Sequence, residues 1–264
     1  MPDDAWSQLS SPFVDEAYAS VKGQVRTAVL HHQLMDHLPG PPASVLDVGG
    51  GAGHQSFPLA RAGYEVALLD PSPAMLARAE ERLAREPPEV RARVRLVCAR
   101  GEDAVAATGG ERFSAVLCHG VLPYVDRPTP LVTALCRCVA GGGVVSVMAL
   151  NAKTLAVRPA LARRWTDALG AFDAAGERGV LEVDTRADTV EELGERLRAE
   201  HVEPLAWYGV WLFTDWIDLS DADASEVEEV VAVELEASRR DPYRQLSRVF
   251  HLVARKQFDI DRPD

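Results

Sequence analysis

VLDVGGGAG, Val45 to Gly53, is the stretch on which the fold of this chain turns. The apolar run Ser44 to Val48 reads as a short buried strand. It ends in four glycines within five positions, Gly49, Gly50, Gly51 and Gly53, with Asp47 two residues ahead of them. Glycines there remove the side chains that would keep the backbone away from a ligand. Downstream, Gln55 to Ala62 reads as a helix stopped by Gly63, and Glu65 to Leu69 as a second buried strand ending at Asp70 and Pro71. Strand, glycine loop, helix, strand is a βαβ unit. An acidic residue about twenty positions beyond such a loop is placed to accept both hydroxyls of a ribose. The glycines depart from the G-x-G-x-x-G spacing of nicotinamide folds, which suits a cofactor without a pyrophosphate.

The alternation continues on both sides. Ser72 to Arg85 reads as a helix capped by Ser72. Val94 to Ala99 and Ser114 to His119 read as strands, Pro130 to Cys138 as a helix, and Val144 to Leu150 as a fifth strand after Gly141 to Gly143. Each strand is a continuous apolar run, as a parallel sheet covered on both faces requires. Before the core, Val14 to Leu38 is helical by its spacing and is closed by the prolines at 39 to 42. After it, Thr154 to Ala175 reads as helical, Glu177 to Asp188 as polar and turn-like, and Thr189 to Glu200 as an amphipathic helix, together a lid or substrate-facing insertion. Leu205 to Thr214 and Ser247 to Arg255 read as strands six and seven, an antiparallel pair finishing the sheet, separated by the acidic helix Asp223 to Arg240. The expected architecture is α/β, a doubly wound, mostly parallel seven-stranded sheet. It divides into an N-terminal helical cap (1–42), a cofactor-binding core (43–150), a helical insertion (151–204), C-terminal strands (205–256) and a polar tail (257–264).

Composition narrows the classes. Hydrophobic residues at 47% are enough for a sizeable core, and a net charge of -12 lowers the expectation of a broad nucleic-acid surface without removing a local basic stripe. Cys98, Cys118, Cys136 and Cys138 form no C-x-x-C pair and read as buried thiols of a reducing cytosol. No run reaches the roughly 18 apolar residues of a membrane span, and MPDDAWSQLSS lacks a basic start and an apolar signal core, so a cytoplasmic protein is expected. His31, His32 and His37 share a helix without a carboxylate trio. They are assigned to the surface, and no metal site is expected.

Two further loops lie at strand ends. Gly101-Glu102-Asp103 offers an amide and a carboxylate to bracket an adenine ring, against the plainer reading of a solvated turn. His119, followed by Val121, Leu122 and Tyr124, falls at the open carboxyl end of the sheet, where such folds hold ligands. These four loops together resemble the class I S-adenosylmethionine-dependent methyltransferases over roughly residues 40 to 150. The resemblance extends through YASVKGQVR (18–26), CHGVLPYV, ALNAKTL (149–155), YGVWLFTD (208–215) and DPYRQLSRVFHLVARK (241–256) to the bacterial tRNA uridine-5-oxyacetic acid (carboxymethoxyuridine) methyltransferase family. It implies S-adenosyl-L-methionine as cofactor. Arg26 would reach the methionyl carboxylate, Gly49 and Gly50 would back the cofactor, Asp70 would take the ribose, Gly101 would border the adenine, and His119 would touch the cofactor near the acceptor. A guanidinium matches a carboxylate bidentately, which agrees for Arg26.

Members of that family esterify a carboxylate, an acceptor already anionic, so the site gains mainly from geometry and exclusion of water. The candidates that would bind or orient it are Tyr18, Lys22, Asn151 and Arg248, with Tyr243 and Arg244 beside them. Their competing structural readings are surface charges for Lys22 and Arg244, packing aromatics for Tyr18 and Tyr243, a turn former for Asn151 and a salt-bridge partner for Arg248. Two departures from the family pattern point to another acceptor, a small carboxylate-bearing or hydroxylated molecule or a peptide. Trp211 stands where a basic residue is expected, and ERGVLEVDTRADT (177–189) has no lysine cluster to neutralise phosphates. Arg158 to Arg164 is the one compensating basic stretch. The alternatives are therefore a tRNA methyltransferase, a small-molecule or peptide methyltransferase of secondary metabolism, and a non-catalytic S-adenosylmethionine binder. The sequence leaves the oligomeric state open.

Overall fold

A computed structural model describes residues 20–178 and 183–258. Tyr18 and the proposed helical turns from Val14 to Ala19 lie outside the described residues. The strands are β1 (Ser44–Val48), β2 (Glu65–Asp70), β3 (Val94–Cys98), β4 (Phe113–His119), β5 (Val139–Leu150), β6 (Gly176–Arg178), β7 (Asp184–Arg186), β8 (Val202–Val210) and β9 (Val249–Lys256). Seven of them form one sheet in the order β3-β2-β1-β4-β5-β9-β8. The expected antiparallel closing pair is present. Because β9 is antiparallel to both β5 and β8, β8 runs with the first five strands and β9 alone is reversed.

Period-two alternation inside the apolar runs sends successive residues to opposite faces, and both faces are covered. Leu46, Val116, Val145 and Leu252 pack on one side with Leu131, Leu135, Leu193 and Leu197. Val45, Leu117, Val144 and Val253 pack on the other with Leu34, Leu59 and Tyr64. Each such leucine contributes on the order of 2 kcal/mol by its burial.

Besides single turns at Pro88–Arg91 and Ala104–Ala107, the described helices are α1 (Val21–Met35), α2 (Ser56–Arg61), α3 (Pro73–Leu83), α4 (Pro128–Cys138), α5 (Val157–Leu161), α6 (Trp165–Ala171), α7 (Val190–Arg198) and α8 (Ala224–Ala237). Their starts are chemically marked. Ser20 accepts from the Gly23 amide, Ser72 from that of Met75 with Pro73 at the first position, and Asp223 from those of Ser225 and Glu226, while Thr189 and Glu192 form a capping box. Val25, Val29 and Leu30 of α1 pack with Met148, Leu150, Val210 and Val249, with Val227, Val231 and Leu235 of α8 against them. This contact lays α1 across the ends of β5, β9 and β8. No described helix is long and apolar enough to cross a membrane.

Several expectations are corrected. β5 begins at Val139, not Val144, because Val139 pairs with Phe113 and a register shift absorbs the glycine triplet that reads as a break. Thr154 to Ala175 is not one helix: α5 and α6 are separated at Arg163, whose φ of 57° lies in the left-handed region. The turn-like stretch after Glu177 contains an antiparallel hairpin, β6–β7. The hairpin is anchored at Asp188, 1% exposed, which binds Arg186 and Arg196 and exchanges backbone hydrogen bonds with Leu150 and Ala152. Of the three histidines expected on one helix, His37 falls beyond the end of α1, and only His32 is exposed. His31 is half-buried beside the Gln55 amide, and His37 is half-buried against the Tyr208 hydroxyl at 2.6 Å.

One buried carboxylate fixes the turn that leaves β8. Glu234, 1% exposed, accepts from the amides of Leu212 (3.0 Å) and Thr214 (2.8 Å) and from the Thr214 hydroxyl (2.9 Å). Glu234→Ala orphans two buried amides and is expected to cost roughly 2–4 kcal/mol, read from the urea midpoint at unchanged m-value.

Candidate active site

The loop after β1 folds back onto the end of β2. The amides of Gly49 (2.7 Å) and Gly50 (3.2 Å) both donate to the Leu69 carbonyl. One residue on, the Asp70 carboxylate accepts from the Gly51 amide (3.0 Å) and the Ser72 amide (2.9 Å). Gly49 is required twice over: its φ is 73°, and a Cβ there would lie 2.2 Å from a Val121 methyl. At Gly101 a Cβ would meet Leu131 at 2.5 Å and Val48 at 2.9 Å.

Two cavities open on this loop. The larger, about 690 Å³, is lined by Gly49, Pro71, Ser72, Gly101, Glu102, Val121, Tyr124 and Leu131 among others. The smaller, about 20 Å³, is lined by Arg26, Asp47, Gly50 and His119 with His54 and Gln55, and Gly49 borders both. Gly51 and Asp70 line neither wall and hold one another. Asp47 is 2% exposed. Burial raises its carboxyl to about 6 and the charge of Asp70 adds to this, while the Ser56 hydroxyl, donating at 2.6 Å, works the other way. His119 is pushed down to about 3 by burial and by the charge of Arg26, so the imidazole is neutral at physiological pH.

Beyond the smaller cavity lies a cluster of cations. Asp215, with 1% of its side chain exposed, receives Lys22 at 2.5 Å and both Nε and Nη2 of Arg158 at 2.8 and 2.5 Å. Burial alone would raise the Asp215 carboxyl, but Arg158 and Lys22 hold it below its usual value. The Trp211 ring lies between α1 cations: Lys22 Nζ is 4.7 Å and the Arg26 guanidinium 5.6 Å from its centre. The Trp211 indole donates to the Lys22 carbonyl at 3.0 Å, and its backbone is in the left-handed region at φ 57°. Such a conformation costs a bulky residue of order 1–3 kcal/mol and is held here by its surroundings. Arg248, 5% exposed, pairs with Glu177, and its amide donates to the Trp211 carbonyl at 3.0 Å. Its Nη1 is buried with no hydrogen-bond partner among the described residues, and burial together with the charge of Arg158 pushes the guanidinium down to about 9. Burial also lowers Lys22, with Asp215 opposing.

Lys22, Arg26 and Arg248 are thus brought together around Trp211. Asn151 is not an acceptor-binding group. Its Oδ1 accepts from the Lys153 amide (3.1 Å) and its Nδ2 donates to the Ser247 carbonyl (3.0 Å), so both ends are spent on backbone. Arg244 and Tyr243 also fall outside the cluster: Arg244 stacks on Trp207 at 4.3 Å and pairs with Asp241, and Tyr243 lies against Phe213. Sequence reasoning missed Asp215 and Glu177, the carboxylates that space the cations. It also missed Ser146, His251 and Gln33 behind His119. Asp215 stands four residues after Trp211 in a segment already singled out, while Glu177 carries no local signal.

Residues 46–145 match a family described as a methyltransferase domain. The chain is an S-adenosylmethionine-dependent methyltransferase. Over 99% of its length it is 28% identical to the whole tRNA 5-carboxymethoxyuridine methyltransferase of Escherichia coli (strain K12). Over 48% of its length it is 34% identical to half of a ubiquinone biosynthesis O-methyltransferase of Methylobacterium sp. (strain 4-46). In fold it is similar to a solved S-adenosylmethionine-dependent methyltransferase from Thermotoga maritima, a possible histamine N-methyltransferase, with a TM-score of 0.60, 15% identity and coverage of 96% of this chain and 100% of that one. The seven-stranded, mostly parallel sheet of this methyltransferase is the class I architecture expected from its sequence.

Two measurements test the site. Gly49→Ala should weaken S-adenosylhomocysteine binding at least about tenfold by calorimetry while the far-ultraviolet dichroism persists, since strain and the overlap with Val121 fall on the loops at the strand ends and not on the sheet itself. For Asp47, the folded value of about 6 lies above the ordinary 3.8, so the folded state holds the proton more tightly and stability falls as pH rises between those values. Relative to Asp47→Asn, the methyltransferase should lose on the order of 2 kcal/mol from pH 4 to pH 6; a flat difference in urea stability across that window would rule the ionisation out.

Proposed function

We propose that this methyltransferase esterifies a carboxylate on its acceptor, with the acceptor anion held by the cations around Trp211. The observation that carries the reading is Arg248, a buried guanidinium whose Nη1 has no hydrogen-bond partner among the described residues, standing near Lys22 and Arg158, which share the single carboxylate of Asp215. Unspent buried positive charge favours an anion.

The residues fit the cofactor. Asp70 has two of its roughly four lone-pair sites occupied by backbone amides, leaving the others for ribose hydroxyls. The close approaches at Gly49 and Gly101 keep side chains out of the larger cavity, which would take the adenosyl group, with Glu102 and Pro71 on its wall. Arg26 in the smaller cavity would face the methionyl carboxylate. S-adenosylmethionine supplies, when bound, a methyl group on a positively charged sulfur. The residues of the chain have little proton chemistry to do, because a carboxylate is ionised at neutral pH and needs no general base. Their work is to hold the acceptor in line and keep water out. Asp215 and Glu177 temper the cations, so that the acceptor is bound without its nucleophilic lone pairs being overly stabilised.

The similarity to the tRNA enzyme over 99% of the chain supports an oxyacetate-bearing uridine of tRNA as acceptor. The net charge of -12 and the acidic residues Glu226, Glu228, Glu229 and Glu236 of α8 favour, as the second reading, a small carboxylic acid or peptide. Incubation with radiolabelled S-adenosylmethionine and, in parallel, tRNA bearing carboxymethoxyuridine, small carboxylic acids or peptides distinguishes them. Base-labile label released as methanol from tRNA is the expected result, label on small acids or peptides alone selects the second reading, and alkali-stable label in every fraction refutes ester formation. Lys22→Met should raise the acceptor KM about tenfold with a smaller change in kcat and unchanged S-adenosylhomocysteine binding.

A further inference from the structure

Four side chains on four elements form an unbroken buried hydrogen-bond chain behind the smaller cavity. His119 Nε2 lies 2.8 Å from Ser146 Oγ, which lies 2.7 Å from His251 Nε2. His251 Nδ1 lies 2.9 Å from Gln33 Oε1, and Gln33 Nε2 lies 3.1 Å from the Gly209 carbonyl. Ser146, His251 and Gln33 are 0% exposed and His119 is 9% exposed. The two histidines belong to one row that crosses the sheet in register: His119 of β4 opposite Met148 of β5, Met148 opposite His251 of β9, and His251 opposite Tyr208 of β8.

The direction of every bond follows from its far end. A carbonyl oxygen only accepts, so the Gln33 amide nitrogen must face Gly209; the reversed amide would set two acceptors against each other. That places Gln33 Oε1 toward His251, whose Nδ1 therefore carries a proton and donates. Burial keeps His251 neutral, so its Nε2 is bare and accepts the single proton of the Ser146 hydroxyl. Ser146 Oγ then accepts from His119 Nε2–H. In a neutral imidazole the remaining nitrogen is an acceptor, and His119 Nδ1 is buried with no hydrogen-bond partner among the described residues. His119 borders the cavity that also contains Arg26 and the carboxylate of Asp47.

We propose that Ser146, His251 and Gln33 are positioning residues that transmit the polarity of the Gly209 carbonyl to His119, locking it as the Nε2–H tautomer. Its bare Nδ1 then accepts a hydrogen bond from the ammonium of the methionyl group of the cofactor. Unanchored, the ring would have two tautomers of similar energy, and the Nδ1–H form would turn a donor toward a cationic donor. The inference rests on the cofactor and is independent of which acceptor is methylated.

Nitrogen-15 spectra of the cofactor-free protein decide the tautomer before any variant is made. His119 is expected to show a protonated Nε2 and an unprotonated Nδ1; a protonated Nδ1 overturns the proposal. Ser146→Ala should then shift the His119 resonances toward a mixture of tautomers. It should also weaken S-adenosylhomocysteine about tenfold, as for a hydrogen bond to a charged group. 5′-Methylthioadenosine, which lacks the amino-acid portion, should bind both proteins equally. Equal weakening of both ligands, or unchanged binding of S-adenosylhomocysteine, overturns the relay and leaves the ester-forming reaction untouched.

Discussion

The carbonyl of Leu69 receives two amides, those of Gly49 and Gly50, and the arrangement of the loops at the strand ends depends on that doubled bond. It turns the chain leaving β1 back against the end of β2, which brings the Gly51 amide to Asp70. The turn can be this tight only because Gly49 takes a left-handed conformation with Val121 packed where a side chain would be. Val121 follows β4, so the loops of three strands are fixed against each other, and both cavities share Gly49 as a common wall. A substitution there does not subtract one contact. It changes the relation of all three strand ends.

α1 closes the other side. Lys22, Arg26, Val29 and Gln33 stand at i, i+4, i+7 and i+11, one stripe of a helix. The stripe carries, in order, a cation of the outer cluster, a wall of the smaller cavity, a core contact and the end of the buried relay. A helix with so polar a buried face needs partners for its polar groups where it docks. Asp215 supplies one, and it is held in turn by the β8 exit that Glu234 pins. Arg248 and Glu177 connect the same cluster to the hairpin anchored at Asp188. The cation cluster is therefore assembled from α1, α5, the exit of β8, the hairpin and the start of β9, with Asp215 shared between Lys22 and Arg158.

The core was legible in the sequence because its signals are local. A parallel strand covered on both faces is a continuous apolar run wherever it occurs, and Ser72 caps α3 by atoms within three residues of itself. The glycine loop and Asp70 are likewise read from spacing. What escaped has partners far along the chain. Asn151 stands in a segment that resembles functional sequence, yet the atom that settles its role is the Ser247 carbonyl, 96 residues away. The hairpin consists of three-residue polar strands that no propensity would mark, and it exists because Asp188 finds two arginines and the end of β5. The break at Arg163 and the early start of β5 are backbone accommodations whose causes lie outside the segments themselves. Ser146 and His251 sit in apolar runs where a polar residue reads as an interruption of the core. Their meaning appears only when β5, β9 and α1 are brought together.

The same distinction between local and summed quantities bears on the acceptor. A net charge of -12 describes a surface screened by salt over about 8–10 Å. Two members of the cluster around Trp211 are withdrawn from that screening, although Lys22 and Arg158 keep about a third of their side chains exposed. Asp215 has 1% of its side chain exposed and Arg248 is 5% exposed. Burial and like charge lower the proton affinity of Arg248 to about 9 and act in the same direction on Lys22, which means that the positive charge there is incompletely neutralised. An anion placed among these groups raises both affinities again, and the free energy of that reversal is available for binding the anion. The departure at Trp211 then takes on a different sense. A basic residue at that position would add like charge beside Lys22 and Arg26, whereas an indole offers both of them its ring face. The strained backbone of Trp211 is sustained because its carbonyl accepts from the Arg248 amide and its indole donates to the Lys22 carbonyl, so the ring is fixed beside the α1 cations.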